Sequence, residues 1–201
     1  TSGNNAGFFI RPATGGSQVL ANNSDVITAM NNTDSNWVNW TFVRDSDTTM
    51  RIFADGVFLQ SITGANWASY DTLTVLQRVG NYDINGKVSN ITLFDTNLSD
   101  AEVATLYNYG SPIQTLTSIP KSSNLKAWYK LDASEIYNSV STEWEVSNAT
   151  AAIKNTIFDP VNSSGTPCYK ENTAGGLLPL TGVAGQSTTI ALWYYAAGNA
   201  D

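Results

Sequence analysis

The chain has 201 residues, 42% apolar and 11% aromatic but only 13% charged, with a net charge of −7. That is enough for one buried β-sandwich core, and the acidic balance excludes nucleic acid as an expected partner, because such a surface repels a phosphate backbone. Histidine is absent and Cys168 is the single cysteine, which excludes imidazole-based catalysis, His-ligated zinc, an internal disulfide and a multi-cysteine metal centre.

Asn, Ser, Thr and Gly take the place of the missing charges, a mixture suited to short strands and polar turns. No segment approaches the ~20 apolar residues of a membrane span, so no membrane partner is expected. The chain starts at Thr1 with neither Met nor a signal-like segment, as expected of a processed or partial product. In chain order, Gly7-Phe8-Phe9-Ile10 reads as a strand stopped by Pro12 and Gly15-Gly16, with a second strand over Gln18 to Asn23. Trp37 to Arg44 alternates: Trp37, Asn39, Thr41 and Val43 face one way, Val38, Trp40 and Phe42 the other. The second face is the more apolar, as expected for a sheet covered on one side.

Met50 to Phe53 continues as a strand into Asp55-Gly56, a two-residue hairpin turn leading to Val57-Phe58-Leu59. Gly accepts the positive φ that a type I′ turn requires, so this pair is structural. Thr72 to Val79 and Lys87 to Phe94 read as further strands, the latter opened by an Asn85-Gly86 turn. Ser99 and Glu102 form a capping box for a short helix over 99–107, with Val103, Leu106 and Tyr107 as its apolar stripe. Asn108-Tyr109-Gly110-Ser111-Pro112 ends it. Residues 113–123 read as a linker or a strand leading onward. Asn124 to Leu131 is a strand, 132–166 is polar and turn-rich with weak strands near Trp144 and Phe158, and Ser187 to Tyr195 is strongly β. A strand of that strength needs a partner.

Candidate chemistry is sparse. Glycoside hydrolysis needs two carboxyl groups about 5–10 Å apart. The only Glu residues are Glu102, Glu135, Glu143, Glu145 and Glu171. Glu143-Trp144-Glu145 comes nearest, but an i, i+2 pair around Trp144 reads as the solvent face of a strand. The chain is therefore expected to be non-enzymatic. Of the six Trp, Trp37, Trp40, Trp128 and Trp193 fall in strands and read as core. Trp67, in a Gly64-Ala65-Asn66-Trp67 loop, is the candidate ligand-binding residue. Asn-x-Ser/Thr sites occur at Asn22, Asn31, Asn39, Asn90, Asn97, Asn148 and Asn162.

Residues 37 to 108 together resemble the closing half of a domain of the laminin-G-like, concanavalin A-like jelly-roll superfamily. The matching pieces are Trp37 to Val43, Arg51 to Gly56, Val79-Gly80, Gly86 to Ile91 and the helix Leu98 to Tyr107, about 75 residues in the family's order. Leu125 to Asp132 resembles the family's first strand, and Thr188 to Tyr195 its early central strand. The resemblance implies an all-β antiparallel jelly-roll sandwich with one short helix near 99–107. Residues 1–112 would be its C-terminal half, 113–123 a linker and 124–201 its N-terminal half. Two arrangements fit that order: one circularly permuted sandwich, or a window on a tandem array. Either predicts residues 187–195 as near neighbours of 7–11, within one chain or across two.

Many members of the superfamily bind calcium at the sandwich rim, which makes Ca2+ the one cofactor the resemblance allows. Asp25, Asp71, Asp83 and Asp95 are the loop carboxylates to consider, although no Asp-rich motif joins them. The function implied is a structural or adhesion module of a viral fibre, capsid or extracellular filament, similar to modules of phage structural proteins. Its partners would be copies of itself or other structural proteins, in a virion or outside the cell. The alternative is a carbohydrate-binding lectin module, calcium-assisted, that takes cell-surface glycans.

Overall fold

A computed structural model describes residues 8–13, 16–21, 25–30, 37–63, 77–78, 82–83, 86–113, 115–129 and 187–196. The strands are β1 (Phe8–Ala13), β2 (Gly16–Ala21), β3 (Asp25–Met30), β4 (Trp37–Ser46), β5 (Thr49–Ala54), β6 (Val57–Thr63), β7 (Gln77–Arg78), β8 (Tyr82–Asp83), β9 (Gly86–Phe94), β10 (Leu125–Tyr129) and β11 (Thr188–Ala196). One helix, α1 (Asp100–Tyr107), follows β9. Among the described residues every strand pairing is antiparallel and there is one short α-helix, an architecture consistent with an all-β fold. The main sheet has six strands in the order β10-β9-β11-β4-β5-β6; β1-β2-β3 and β7-β8 form two smaller sheets. Strand β3 was not expected. Of the expected strand over 72–79, only the short β7 lies within the described residues.

β4, β5 and β6 form a meander whose second corner is the Asp55-Gly56 turn. Asp55 (φ 51°) and Gly56 (φ 75°) both take positive φ and join the Ala54↔Val57 pair, as a type I′ hairpin requires. The Asp55 carboxylate also accepts from the Asn39 backbone N–H at 2.9 Å, while Asp55 N donates to the Asn39 carbonyl at 2.8 Å. The turn is thus tied back onto β4. A Cβ on Gly56 would lie 3.0 Å from Tyr107 Cβ and 3.2 Å from Ala104 Cα. Gly56→Ala therefore combines a disfavoured φ with a clash against α1, and is expected to cost about 1–3 kcal/mol in chemical unfolding. A change of a few tenths would mean the turn and helix are not in register.

β11 lies in the middle of this sheet. Its residues pair with Trp37 to Arg44 of β4 on one side and with Gly86 to Phe94 of β9 on the other. The strands of 124–201 that are described, β10 and β11, therefore share one sheet with β4, β5, β6 and β9. β1 hydrogen-bonds to β2, and β11 to β4 and β9, so the expected closeness of 187–195 to 7–11 does not take the form of strand pairing. The composition of β11 explains its place: Ile190, Ala191, Leu192, Trp193 and Tyr194 are all buried, which only a strand covered on both faces provides.

Both faces of β4 are likewise buried, from Val38 through Arg44. The expectation of a sheet covered on one side is corrected here, because the polar face of β4 has internal partners for its polar groups. Thr41 Oγ1 donates to Asn39 Oδ1 at 3.2 Å. On the same face of β11, Thr189 Oγ1 donates to the Thr96 carbonyl at 2.8 Å and accepts from Leu98 N at 3.0 Å. A polar residue is tolerated inside a sheet layer when such bonds replace those to water.

The described residues between β9 and β10, 95–113 and 115–124, form the layer over this face. Phe94 pairs with Leu125 across the strands, and Asp95 N donates to the Asn124 carbonyl at 3.0 Å, so the excursion closes at its stem. α1 starts with the expected capping box: Ser99 N donates to Glu102 Oε2 at 2.7 Å and Glu102 N donates to Ser99 Oγ at 3.3 Å. Asn108, left-handed at φ 49°, closes its C-terminus. Val103 and Leu106 are buried, with Leu98, Ile113 and Ile119, against Val43, Phe53, Phe94, Trp128 and Ala191 of the sheet. Residues 113–123 contain turns of 3-10 helix, and their isoleucines lie in this core rather than in an open connection.

Candidate functional site

A recess lies beneath α1, above the point where β11 carries its smallest inward residue. Ala191 pairs with Thr41 on one side and Thr92 on the other, and leaves space that a larger side chain would fill. Asn39, Asn90 and Thr92 bring polar groups to the walls, Trp128 and Trp193 bring indoles, and Leu106 with the two isoleucines closes the top. The room inside is about 10 Å³, the scale of one water molecule. Its described lining is of amide, hydroxyl, indole and aliphatic side chains.

A bulge in β9 aims Asn90 into this recess. Opposite β11 the register shifts between Ala191 and Trp193, and Asn90 takes a left-handed φ of 49°. Asn is among the few residues that adopt this conformation at small cost. Its Oδ1 accepts from Trp128 Nε1 at 2.7 Å, which links the bulge to β10. Trp193 stacks on Tyr107 of α1 with ring centroids 5.7 Å apart. On the opposite face of the sheet, Trp40 Nε1 and Tyr194 OH are buried without a hydrogen-bond partner among the described residues. Burial raises the Tyr194 phenol well above its ordinary range, so it stays protonated.

Three groups of charged side chains form clamps at the edges of the α1 layer. Arg51 reaches from β5 to Asp45 through Nε at 2.7 Å and Nη2 at 2.8 Å, a bidentate pair. The same Nη2 donates to the Leu98 carbonyl at 2.8 Å, Nη1 donates to Asp100, and the guanidinium lies 5.3 Å from the Phe53 ring centroid. Asn97 Nδ2 donates to Asp45 at 3.1 Å. At the stem, Lys126 Nζ lies 2.9 Å from Asp95, and Asn124 Nδ2 donates to Asp95 at 3.0 Å. Lys121 meets Glu102 at 3.2 Å and donates to the Asn97 carbonyl at 2.9 Å.

These contacts hold three carboxyl groups below their ordinary range. Arg51 does so for Asp45 by hydrogen bond and charge, against a smaller opposing effect of burial. At Asp95 burial acts upward but is outweighed by Lys126 and Asn124; at Glu102 it is outweighed by Ser99 and Lys121. A carboxyl depressed in the folded state stabilises fully above its unfolded value, about pH 4, and loses that contribution as pH falls through the folded value. The thermal midpoint is therefore expected to fall below about pH 4. Arg51→Ala is expected to cost about 2 kcal/mol at neutral pH, between exposed and buried ion pairs, and to flatten the acid slope. An unchanged acid slope in that variant would show that the clamp does not set it.

The residues singled out from sequence disperse. Trp67, Asp71, Glu135, Glu143, Glu145, Cys168 and Glu171 lie outside the described residues, as do Asn22, Asn31, Asn148 and Asn162. Asp25 ends up in β3 and Asp83 in β8 rather than in loops. Asp95 is occupied by Lys126 and Asn124, and Glu102 by the helix cap. No cluster of three metal-ligating side chains occurs among the described residues. Trp40, Trp128 and Trp193 are core as expected, whereas Trp37 is 40% exposed. Asn39 and Asn90, though sequons, are buried, so neither can carry a glycan in this fold. Sequence reasoning did not single out Asn39 and Asn90 for the recess; the signal was polar residues at sheet positions facing inward. Comparisons with protein-family models, curated proteins and solved structures return no match.

Proposed function

We propose that the chain is a non-enzymatic structural or adhesion module of a larger extracellular or virion assembly, built on a laminin-G-like or concanavalin A-like jelly-roll sandwich in permuted order. The observation that carries this reading is the use made of charge. Arg51, Asp45, Asp95, Glu102, Lys121 and Lys126 all join the α1 layer to the sheet or brace it internally, and none lines the recess. The shared sheet of β10, β11, β4 and β9 supports one permuted sandwich over a window on an array. The low charge and the Asn, Ser and Thr content suit a module whose surface meets neighbours rather than phosphate or lipid.

The test is electron microscopy and sedimentation of the full-length product that contains this chain, with a glycan array run on the same material. Ordered multimers with no glycan binding are the expected result. A monodisperse monomer that binds glycans, with binding lost in Trp67→Ala, would replace this reading with a lectin module.

A further inference from the structure

We propose that β6 is a self-association edge, through which two copies of this chain pair antiparallel about a two-fold axis at Gln60. The proposal rests on the assembly function proposed above. Among the described strands β6 ends the six-stranded sheet, hydrogen-bonded to β5 on one side. β3 approaches it, but β3 pairs only with β2 among the described strands. Unlike β4 and β5, β6 has no buried residue, and Val57 (63% exposed) and Phe58 (44%) are two of the most exposed large apolar side chains described. An edge strand of this kind presents unpaired backbone groups to any other strand, and proteins that avoid pairing place Lys, Pro or inward charge there. The opposite edge strand, β10, carries Lys126; β6 reads Val57-Phe58-Leu59-Gln60-Ser61-Ile62-Thr63, with neither charge nor Pro.

Charge selects the occupant. A chain of net charge −7 repels its own copies over most of its surface, and an uncharged edge is where two copies approach without opposing like charges. The two-fold register about Gln60 sets Gln60 against Gln60, Leu59 against Ser61, Phe58 against Ile62 and Val57 against Thr63. No opposed pair then brings like charges together, and the Phe58–Ile62 contacts and the Gln60 pair supply apolar and hydrogen-bonding matches of the kind an isologous interface needs. The two sheets would join into one continuous sheet by strand addition.

Sedimentation velocity of the chain from micromolar to submillimolar concentration tests this. The wild type is expected to shift from monomer to dimer, with β6 amides becoming protected from hydrogen exchange as it does. Gln60→Lys with Ser61→Lys places like charges across the two-fold, although it lowers the overall net charge, and is expected to abolish the dimer at every concentration tested. Thr117→Lys with Ser123→Lys, on exposed turns, makes the same charge change and is expected to leave the dimer intact. A dimer that survives the β6 substitutions overturns the β6 contact and leaves assembly through another surface standing. A wild type that remains monomeric, with β6 amides already protected, shows the edge occupied within the chain and overturns the proposal; multimers of the full-length product would still support the assembly reading.

Discussion

A chain ending at residue 186 is expected not to fold. The truncation removes β11, which pairs at eight positions with β4 and at seven with β9. Those two strands have no direct pairing with each other, so the sheet would be cut between β9 and β4. The side chains lost include Ile190, Leu192, Trp193 and Tyr194, all buried. At ~1.5–3 kcal/mol each, their burial contributes roughly 6–12 kcal/mol, comparable with the ~5–15 kcal/mol net stability of an ordinary domain. Loss of the near-UV circular dichroism signal and of a cooperative melt would be the readout. Co-expression of residues 187–201 on a soluble carrier should restore both. A truncated chain that melts cooperatively near the full-length midpoint would show that β11 is not the central strand.

Replacement of Trp128 by Ala is expected to cost about 3–5 kcal/mol in urea unfolding, through the cavity it opens next to the recess. Trp128 is 2% exposed and packs in the cluster that joins α1 to the sheet. Trp128→Phe separates packing from hydrogen bonding. It keeps most of the apolar volume but leaves Asn90 Oδ1 without the indole donor at 2.7 Å, inside a residue only 8% exposed. Its expected cost is about 1–3 kcal/mol, the range for a buried polar group left unsatisfied. Equal losses in the two variants would mean that the hydrogen bond, not the packing, anchors β10. A loss below about 1 kcal/mol in Trp128→Ala would mean that the indole is not seated in the core.

Local signals were legible wherever a few neighbouring residues determine the conformation. The Asp55-Gly56 turn needs only two positive φ values, and Gly with Asp supplies them. The Ser99–Glu102 capping box is complete within four residues. The burial of Asn39, Thr41 and Asn90 was not legible. Period-two patterning assigns polar residues to solvent, and here the layer between β9 and β10 covers them while the neighbouring strand β10 supplies a partner, Trp128 Nε1, for Asn90. Ile113 and Ile119 escaped for the related reason that their burial follows from where the stem closes, at Asp95 and Asn124, and not from any periodicity of their own. The sequons at Asn39 and Asn90 have the same cause: the tripeptide carries no information about what packs over it.

By itself the sequence determined the antiparallel β character and the short capped helix of the described residues, because alternation, turn chemistry and capping are properties of a few consecutive side chains. It also determined that β11 needs strand partners, since Ile190 to Tyr194 is an unbroken run of apolar and aromatic side chains. Only the tertiary structure decided which strands those partners are. Pairing β11 between β4 and β9 joins residues about a hundred and more positions apart along the chain. No local preference specifies that choice; β4 and β9 each have one edge not taken by β5 or β10, and β11 supplies the backbone hydrogen bonds to both.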